Sequence, residues 1–317
     1  MSSKTLQMQK QTSYISPIIG WAIFGIIATI FSLSIFGQWV FSAEEFLAVP
    51  ITALDTMPQA DIYKIRIFEV ISSSIALIAL YIFLIRPWLK TGRAPILGLM
   101  LIGALISYVI DTTVNYHGYF MAWNVHSINW GTWAAFFPGH TGPTRFAEAL
   151  FWGPPMYLYF GVLLGLIQYM VIHTAQKRFG FSLVAAVLTS MVVAFFLDLL
   201  AEWGIIFFTQ AYAWARTISW LTLLPGSQFQ FPLYESFAVA IYGTIYSSLI
   251  KSSKENRISY IEQGVDRLTS ELQLPARFFA ATGLASLATT IYFGSFFLFS
   301  CYANSQAALP HYLMFLK

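Results

Sequence analysis

Seven long apolar runs divide this chain of 317 residues, and their length limits what the chain can fold into. A membrane-spanning helix needs about 20 mostly apolar residues to cross about 30 Å of hydrocarbon. The chain is 57% hydrophobic and 10% charged, whereas a soluble domain usually carries about 25% charged residues. We therefore predict an all-α, polytopic membrane helix bundle that forms a single domain over residues 1–317. The seven runs cover residues 15–41, 67–85, 95–116, 148–172, 181–208, 231–250 and 278–302.

The distribution of lysine and arginine predicts the orientation of these helices. One set of loops and termini holds the basic residues 4, 10, 86, 90, 93, 177, 178, 251, 254, 257, 267 and 277. The other set holds residues 64, 66, 145, 216 and 317. Because basic residues concentrate on the cytoplasmic side, we expect the first set inside, an inner N-terminus and an outer C-terminus.

The charged linker at residues 251–277 is predicted to carry a helix of its own. Between residues 255 and 274, the apolar side chains recur at helical spacing: Ile258, Ile261, Val265, Leu268 and Leu272. This pattern is typical of a short amphipathic helix, which we expect on the cytoplasmic membrane surface.

Composition also excludes several classes of function. The chain has a single cysteine, Cys301, so neither an intramolecular disulfide nor a multi-cysteine metal site can form. Its basic residues follow the loops and form no further cluster, which argues against a nucleic-acid partner. The first apolar run exceeds the roughly 7–15 residues of a signal-peptide core, so we expect it to be retained.

A polar segment at residues 111–147 stands out between two apolar runs. It begins with Asp111, holds three histidines (His117, His126 and His140), and leads to Glu148. Polar side chains beside hydrocarbon are costly and usually functional. We therefore predict that this segment lines and roofs a cavity on the non-cytoplasmic side.

Acidic residues from several runs are expected at one depth in the membrane. At 1.5 Å of helix rise per residue, Glu69, Asp111, Asp198 and Glu235 all lie about 24–26 Å from the basic edge. Glu202 follows Asp198 by four residues, so both project from one face of the fifth run. Because like charges one turn apart repel, we expect one of them to keep a proton and act as a general acid. Acids at this depth can also simply reach interfacial water, and that alternative stays open.

The histidines and tryptophans allow other interpretations. His117, His126 and Asp111 include ligand types for a metal ion, but their spacing matches no compact metal motif, and we predict neither a metal nor a cofactor. The tryptophans are typical of a belt at the membrane interface. Aromatic faces can also stabilise a cationic intermediate inside a cavity.

The order of motifs around the polar segment resembles a known family. Asp111 precedes the pair Asn115-Tyr116, NVHSINWGTW covers Asn124–Trp133, a Pro138-Gly139 turn follows, and EALFWGPPMY covers Glu148–Tyr157. This order resembles the AveC-like family of bacterial membrane proteins, typified by the avermectin spirocyclase. The loop HTGPTRFAE (residues 140–148) departs from the pattern, and Asp198 and Glu202 lie outside the stretch that carries the resemblance.

The resemblance implies an enzyme of the bacterial cytoplasmic membrane. It would fold a dihydroxy-ketone polyketide into a spiroketal, sometimes with loss of water, by acid–base chemistry without a redox step. Its partners would be a lipophilic small molecule and membrane lipid. A membrane terpene cyclase, a non-enzymatic transporter or lipid-binding protein, and a metal-dependent oxidase remain as alternatives.

These expectations assign roles to particular residues. Asp198 or Glu202 is the expected general acid, Asp111 the base or orienting group, and Glu148 a second acid. Substrate-binding residues are expected at Asn115, Tyr116, His117, Asn124, His126, Asn129, Trp133, Trp152, Trp203 and Glu235.

Overall fold

The computed structural model describes residues 16–314, and α-helices account for most of them. Within this range the α-helices are α1 (Pro17–Val40), α2 (Gln59–Leu80), α3 (Arg86–Thr91), α4 (Ile96–Ser107), α5 (Gly153–Phe179), α6 (Leu183–Thr209), α7 (Leu233–Asn256) and α8 (Ser270–Ser300). A π-helical turn at Tyr81–Ile85 joins α2 to α3 in one rod. A 3-10 helix at Tyr108–Asn115 continues α4.

In the part of the chain described, six helices are long and apolar enough to cross a membrane. They are Pro17–Val40, Gln59–Thr91, Ile96–Asn115, Gly153–Phe179, Leu183–Thr209 and Ser270–Ser300. The predicted membrane helix bundle is thus supported by length and composition. The helix α7 has 24 residues but carries more tyrosine and serine, and it packs between α5, α6 and α8. The seventh crossing therefore stays a prediction.

The helices α1 and α8 touch through glycine. A Cβ atom added to Gly25 would lie 1.7 Å from the carbonyl oxygen of Phe279, and one added to Gly283 would lie 2.6 Å from that of Trp21. Side chains at these two positions would force the backbones apart. The two glycines thus set the distance between α1 and α8.

Loops meet at one end of the bundle and form what we call the cap, residues 42–58, 111–152, 210–232 and 301–314. Three short antiparallel pairs join it: β1 (Met121–Trp123) with β2 (Tyr212–Trp214), β3 (Arg216–Thr217) with β6 (Ser305–Gln306), and β4 (Thr222–Leu223) with β5 (Phe231–Pro232). Two side chains add further links, since Asn129 Oδ1 accepts from the Val49 amide at 2.9 Å and His311 Nδ1 lies 2.5 Å from Asp55 Oδ1. The polar segment 111–147 belongs to this cap.

The connection between α7 and α8 corrects a prediction. Instead of an amphipathic helix over residues 255–274, it forms two short 3-10 turns at Tyr260–Glu262 and Val265–Arg267. Between them Gly264 adopts a φ of +90°, a value that interrupts a right-handed helix. The apolar residues at helical spacing do not form one face toward the membrane surface. Two of them, Ile261 and Val265, are buried in the core.

Glu262 explains why this connection folds inward. Its carboxylate accepts from Ser259 Oγ at 2.7 Å and from Arg277 Nε at 2.6 Å, and the Glu262 and Arg277 side chains are both buried. This buried ion pair and its additional hydrogen bond stabilise the turn. The spacing of apolar residues gives no indication of such a contact.

Several boundaries also differ from the sequence prediction. The second helix begins at Gln59 rather than residue 67, so Arg66 pairs on the helix with Glu69 at 2.6 Å. The helix α5 begins at Gly153 with proline in its first turn, and Glu148 therefore precedes it in the cap. Residues 1–15, with Lys4, Lys10 and the start of the first run, lie outside the described residues, as does Lys317.

Candidate active site

A cavity of about 210 Å³ lies beneath the cap, among the extension of α4 and the helices α5, α6 and α8. Three acids, Asp111, Asp198 and Glu202, contribute to its wall. The remaining wall is mostly aromatic and includes Trp123, Trp152, Tyr157, Tyr159, Phe160, Tyr212, Trp214, Tyr242, Tyr292, Phe293 and Phe296. Carboxyls from separate helices thus meet at one largely apolar cavity.

The first acidic cluster combines Asp198, Glu202 and Glu235. One carboxyl oxygen from each lies within 4.8 Å of the others. Asp198 and Glu202 are one turn apart on α6, and Glu235 comes from the first turn of α7. Glu235 does not line the cavity, but its Oε1 accepts a 2.7 Å hydrogen bond from the hydroxyl of Tyr292, which does.

Two oxygens of this cluster lack a donor. Asp198 Oδ2 and Glu235 Oε2 are buried and have no hydrogen-bond partner within residues 16–314. Three ionised carboxylates at this spacing would also repel one another strongly in apolar surroundings. A proton shared between carboxyls removes one negative charge and supplies a missing donor, so the cluster is suited to holding an exchangeable proton.

Tyr212 joins this cluster from the cap strand β2. Its phenol hydrogen-bonds Glu202, and burial together with the Glu202 charge raises the pKa of Tyr212 well above its ordinary value. The phenol therefore keeps its proton and acts as a hydrogen-bond donor toward the carboxyl.

The second acidic cluster consists of Asp111 and Glu148. Glu148 accepts hydrogen bonds from Tyr108 at 2.6 Å and from Thr132 at 3.3 Å. Burial, followed by the charge of Asp111, raises the pKa of Glu148 well above its ordinary value. Asp111 lines the cavity and Glu148 does not, so the pair can share a proton at the cavity wall.

Tyr157 connects the two clusters. It hydrogen-bonds Asp111 and lies within electrostatic reach of Glu202. The two acidic groups therefore serve one cavity from different sides, an arrangement that allows one to donate a proton while the other accepts one.

Stacked aromatic rings form the wall nearest the cap. The ring centroids of Trp123 and Trp152 are 4.9 Å apart, and those of Trp152 and Tyr212 are 5.1 Å apart, with interplanar angles of 26° and 28°. Aromatic faces attract positive charge, so this wall can stabilise a cationic intermediate.

Phe293 belongs to two walls at once. It lines the acidic cavity and also a neighbouring apolar groove that Phe24, Phe31 and Phe297 line between α1 and α8. The α1 residues Phe24 and Phe31 are exposed on the outer surface of the helix bundle. The groove therefore opens toward the surface that would face lipid.

The three asparagines proposed from sequence as substrate-binding residues lie in the cap, away from the cavity wall. Asn115 Oδ1 accepts from the amides of Phe120 and Met121 at 2.8 and 2.9 Å. Asn124 Nδ2 donates to the carbonyl of Gln210 at 2.8 Å. Asn129 binds the Val49 amide, as described above. These hydrogen bonds fix the loops of the cap.

The histidines and two tryptophans are also engaged in the cap or at its edge. His126 Nε2 lies 2.7 Å from the Asp55 carbonyl oxygen, and His117 Nδ1 lies 3.2 Å from Thr141 Oγ1. The Trp133 indole donates to the Val109 carbonyl at 2.7 Å, and that of Trp203 to Phe229 at 3.0 Å. Likewise, the Tyr116 hydroxyl donates to the Pro138 carbonyl at 2.9 Å. Trp152 is the one predicted substrate-binding residue on the cavity wall.

Sequence reasoning missed the tyrosines that hold the acids. Tyr157, Tyr212 and Tyr292 each contact a carboxyl of the two clusters. Tyr157 ends the motif EALFWGPPMY, so it could have been identified there. Tyr212 and Tyr292 have no distinctive sequence neighbours, because loop pairing and helix packing bring them to the site.

The first acidic cluster has the oxygen ligands that a hard divalent cation would use. Within the described residues, Asp198, Glu202 and Glu235 form the one group with this geometry, and His117, His126 and Asp111 do not form another. Carboxylates of this kind serve either a metal ion or proton transfer, and the donor set alone fits both.

Searches of curated proteins and of solved structures returned no match to the chain. A family model described as "Spirocyclase AveC-like" matches residues 91–311, which is 221 of 317 residues. The matched range contains both acidic clusters and the whole lining of the cavity. The chain belongs to the spirocyclase AveC-like family.

Proposed function

We propose that this protein catalyses acid–base cyclisation of a lipophilic dihydroxy-ketone to a spiroketal, with loss of water. The observation that carries the proposal is the meeting of two acidic clusters at one aromatic cavity, Asp198–Glu202–Glu235 on one side and Asp111–Glu148 on the other. Family membership supports the same reaction class.

The first cluster acts as the general acid. One substrate hydroxyl has added to the ketone to give a hemiketal, and Asp198 or Glu202 protonates the hemiketal hydroxyl. The carbon–oxygen bond breaks, water leaves, and an oxocarbenium ion remains. The aromatic wall around Trp152 stabilises this cation because ring faces attract positive charge.

The second cluster completes the reaction. The remaining substrate hydroxyl attacks the oxocarbenium carbon, and Asp111 accepts the proton that this hydroxyl loses. Glu148 and Tyr157 hold Asp111 in place. The net change is one ketone and two hydroxyls converted to one spiroketal and one water, with no redox change. The shape of the cavity determines which face of the cation is attacked.

The membrane setting suits such a substrate. We propose that the bundle lies in a bacterial cytoplasmic membrane with its basic end inside and the cap outside, in line with the positive-inside rule. A lipophilic polyketide would then reach the cavity without leaving the bilayer.

The test is turnover of a synthetic dihydroxy-ketone by the purified protein in lipid nanodiscs at neutral pH. We expect one spiroketal stereoisomer in excess, measured by chiral chromatography with mass detection. Spiroketals also form in acid without an enzyme, so the control is the same mixture with heat-denatured protein. A product ratio equal to that control would contradict the proposal.

A second candidate is supported by the geometry of the first acidic cluster, whose oxygens could hold a divalent cation. The protein would then be a metal-dependent enzyme, such as an oxidase. Elemental analysis of the purified protein separates the two candidates. Magnesium, manganese, iron, copper or zinc above half an equivalent, with activity lost on chelation and restored by that metal, would replace the acid–base proposal.

Two further alternatives are separable with the same sample. A membrane terpene cyclase would convert a polyprenyl substrate but leave the dihydroxy-ketone unchanged. A transporter would move protons into proteoliposomes without forming any product.

A further inference from the structure

A second cavity, of about 640 Å³, lies at the opposite end of the bundle from the cap. It is formed by the end of the α2–α3 rod, the start of α4, the end of α7 and the α7–α8 connection. Four basic residues line it, Arg93, Lys254, Arg257 and Arg277, together with a single acid, Glu262. Taking each at its usual charge, the lining carries a net charge of +3.

Two of these four basic residues have no ion-pair partner within residues 16–314. Glu262 is committed to buried Arg277, with Nε 2.6 Å from Oε1, and Arg93 reaches the same oxygen at 3.9 Å. Lys254 and Arg257 have neither an ion pair nor a side-chain hydrogen bond among residues 16–314. A cavity that concentrates unpaired cations attracts an anion.

The backbone conformation at Arg257 is unusual for arginine. Arg257 directly follows the last residue of α7 and has a φ of +62°. Glycine or asparagine usually occupies such a position because other residues are strained there. An arginine that tolerates this strain places one more cation at the cavity.

The other half of the cavity is apolar. Its lining includes Ile82, Phe83, Ile96 and Leu97. Ile82 and Phe83 belong to the π-helical turn of a rod long and apolar enough to cross a membrane. A free inorganic anion needs only the basic half, whereas a phospholipid uses both, its phosphate on the cations and its acyl chain along the apolar side chains.

We propose that this cavity is a binding site for an anionic phospholipid such as phosphatidylglycerol. The phosphate lies against Arg93, Lys254 and Arg257, and an acyl chain follows Ile82 and Leu97. Basic pockets between membrane helices are known to bind anionic headgroups. This inference is independent of the cyclisation reaction, because the site lies at the far end of the bundle.

The experiment measures lipid binding to the full-length protein by native mass spectrometry from detergent. Phosphatidylglycerol is compared with phosphatidylcholine of the same acyl chains. We expect phosphatidylglycerol to bind at least tenfold more tightly. Equal affinity for the two lipids would overturn the proposal whatever the variants do.

A double variant, Lys254→Gln with Arg257→Asn, removes two cations, and asparagine suits the left-handed backbone. We expect its affinity for phosphatidylglycerol to fall about 25-fold, because each of the two basic residues contributes about fivefold. The matched control, Lys177→Gln with Arg178→Gln, removes two cations from the last turn of α5 at the same end of the bundle, outside this cavity. It should bind phosphatidylglycerol like the wild type, and an equal loss in both variants would contradict a specific site.

A competition experiment distinguishes a site for a lipid from a site for a free phosphate. Soluble glycerol 3-phosphate is added as a competitor at concentrations up to the millimolar range. We expect little displacement, because it lacks the acyl chain. Full displacement at the affinity of the lipid would show a site for soluble phosphates and overturn the lipid assignment.

Discussion

The hydroxyl of Tyr108 donates a 2.6 Å hydrogen bond to Oε1 of Glu148, inside a pocket where burial and the charge of Asp111 raise the pKa of that carboxyl. The folded protein therefore holds the Glu148 proton more tightly than the unfolded chain does. The stability that comes from this difference in proton binding is fully present below pH 4.5, the ordinary pKa of the group. It is lost as the pH rises through the higher pKa of the folded state.

Glu148→Gln should remove the fall in stability with rising pH, because glutamine keeps an acceptor for the Tyr108 hydroxyl but cannot ionise. We expect its thermal unfolding midpoint to match that of the wild type near pH 4.5 and to exceed it increasingly at higher pH. The gain is at most about 1.4 kcal/mol per pH unit across that window. Differential scanning fluorimetry from pH 4.5 to 8 measures it. Glu44→Gln, at an exposed acid, is the control and should follow the wild type at every pH.

Asp198→Asn and Asp111→Asn should each lower spiroketal formation at least about 100-fold, since general acid–base catalysis contributes about 10²–10⁴-fold. Both changes keep side-chain shape, so both variants should still express and fold. Product formation by purified variants in nanodiscs is the measurement. Asp266→Asn, at an exposed acid in the α7–α8 connection, should retain full activity. Normal turnover by both cavity variants would place the chemistry elsewhere.

Asp55 joins the first loop of the cap to its last segment. Burial works to raise the pKa of Asp55, but hydrogen bonds from His311 and Thr52 outweigh it and lower that pKa. The ionised carboxylate therefore stabilises the fold above pH 3.8, and this stability is lost as the pH falls through the lower folded-state pKa.

Asp55→Asn should weaken the cap by about 1–3 kcal/mol, the usual cost of leaving buried polar groups without a partner. Limited proteolysis at neutral pH, read by mass spectrometry, should show faster cleavage within residues 42–58. His311→Gln should give a similar effect, and the double variant should lose less than the sum of the two. Strictly additive losses would mean that the two residues act separately.

The close contact between α1 and α8 predicts that alanine substitution at two glycines of α1 changes stability in opposite directions. Gly25→Ala should destabilise the bundle by about 1–3 kcal/mol, because its Cβ would overlap the carbonyl of Phe279. Gly37→Ala, on the same helix with no atom within 4 Å of the added Cβ, should stabilise it by about 0.5–1 kcal/mol through helix propensity. Unfolding midpoints of the two variants in one detergent test this, and shifts of the same sign would contradict the close contact.

The sequence was informative where one helix alone determines the geometry. The spacing of Asp198 and Glu202 places both on one face of α6, and the depth of Asp111 follows from counting helix rise, so these acids could be placed near one level. The polar segment could also be identified, because it collects histidines, asparagines and an acid between two apolar runs.

The rest depends on contacts between distant segments. Tyr212 reaches Glu202 because β2 pairs with β1, and Tyr292 reaches Glu235 because α8 packs on α7. Neither contact leaves a local pattern. The α7–α8 connection was mispredicted for a similar reason, since Arg277 determines the fold of a turn that contains Glu262, 15 residues earlier.

Phe293 forms part of the wall of the acidic cavity and part of the wall of the groove between α1 and α8. The Phe293 side chain thus lies between the acidic cavity and a groove lined mainly by apolar residues. A lipophilic substrate that entered this groove from among the acyl chains would therefore meet the Phe293 side chain before it reached the acids.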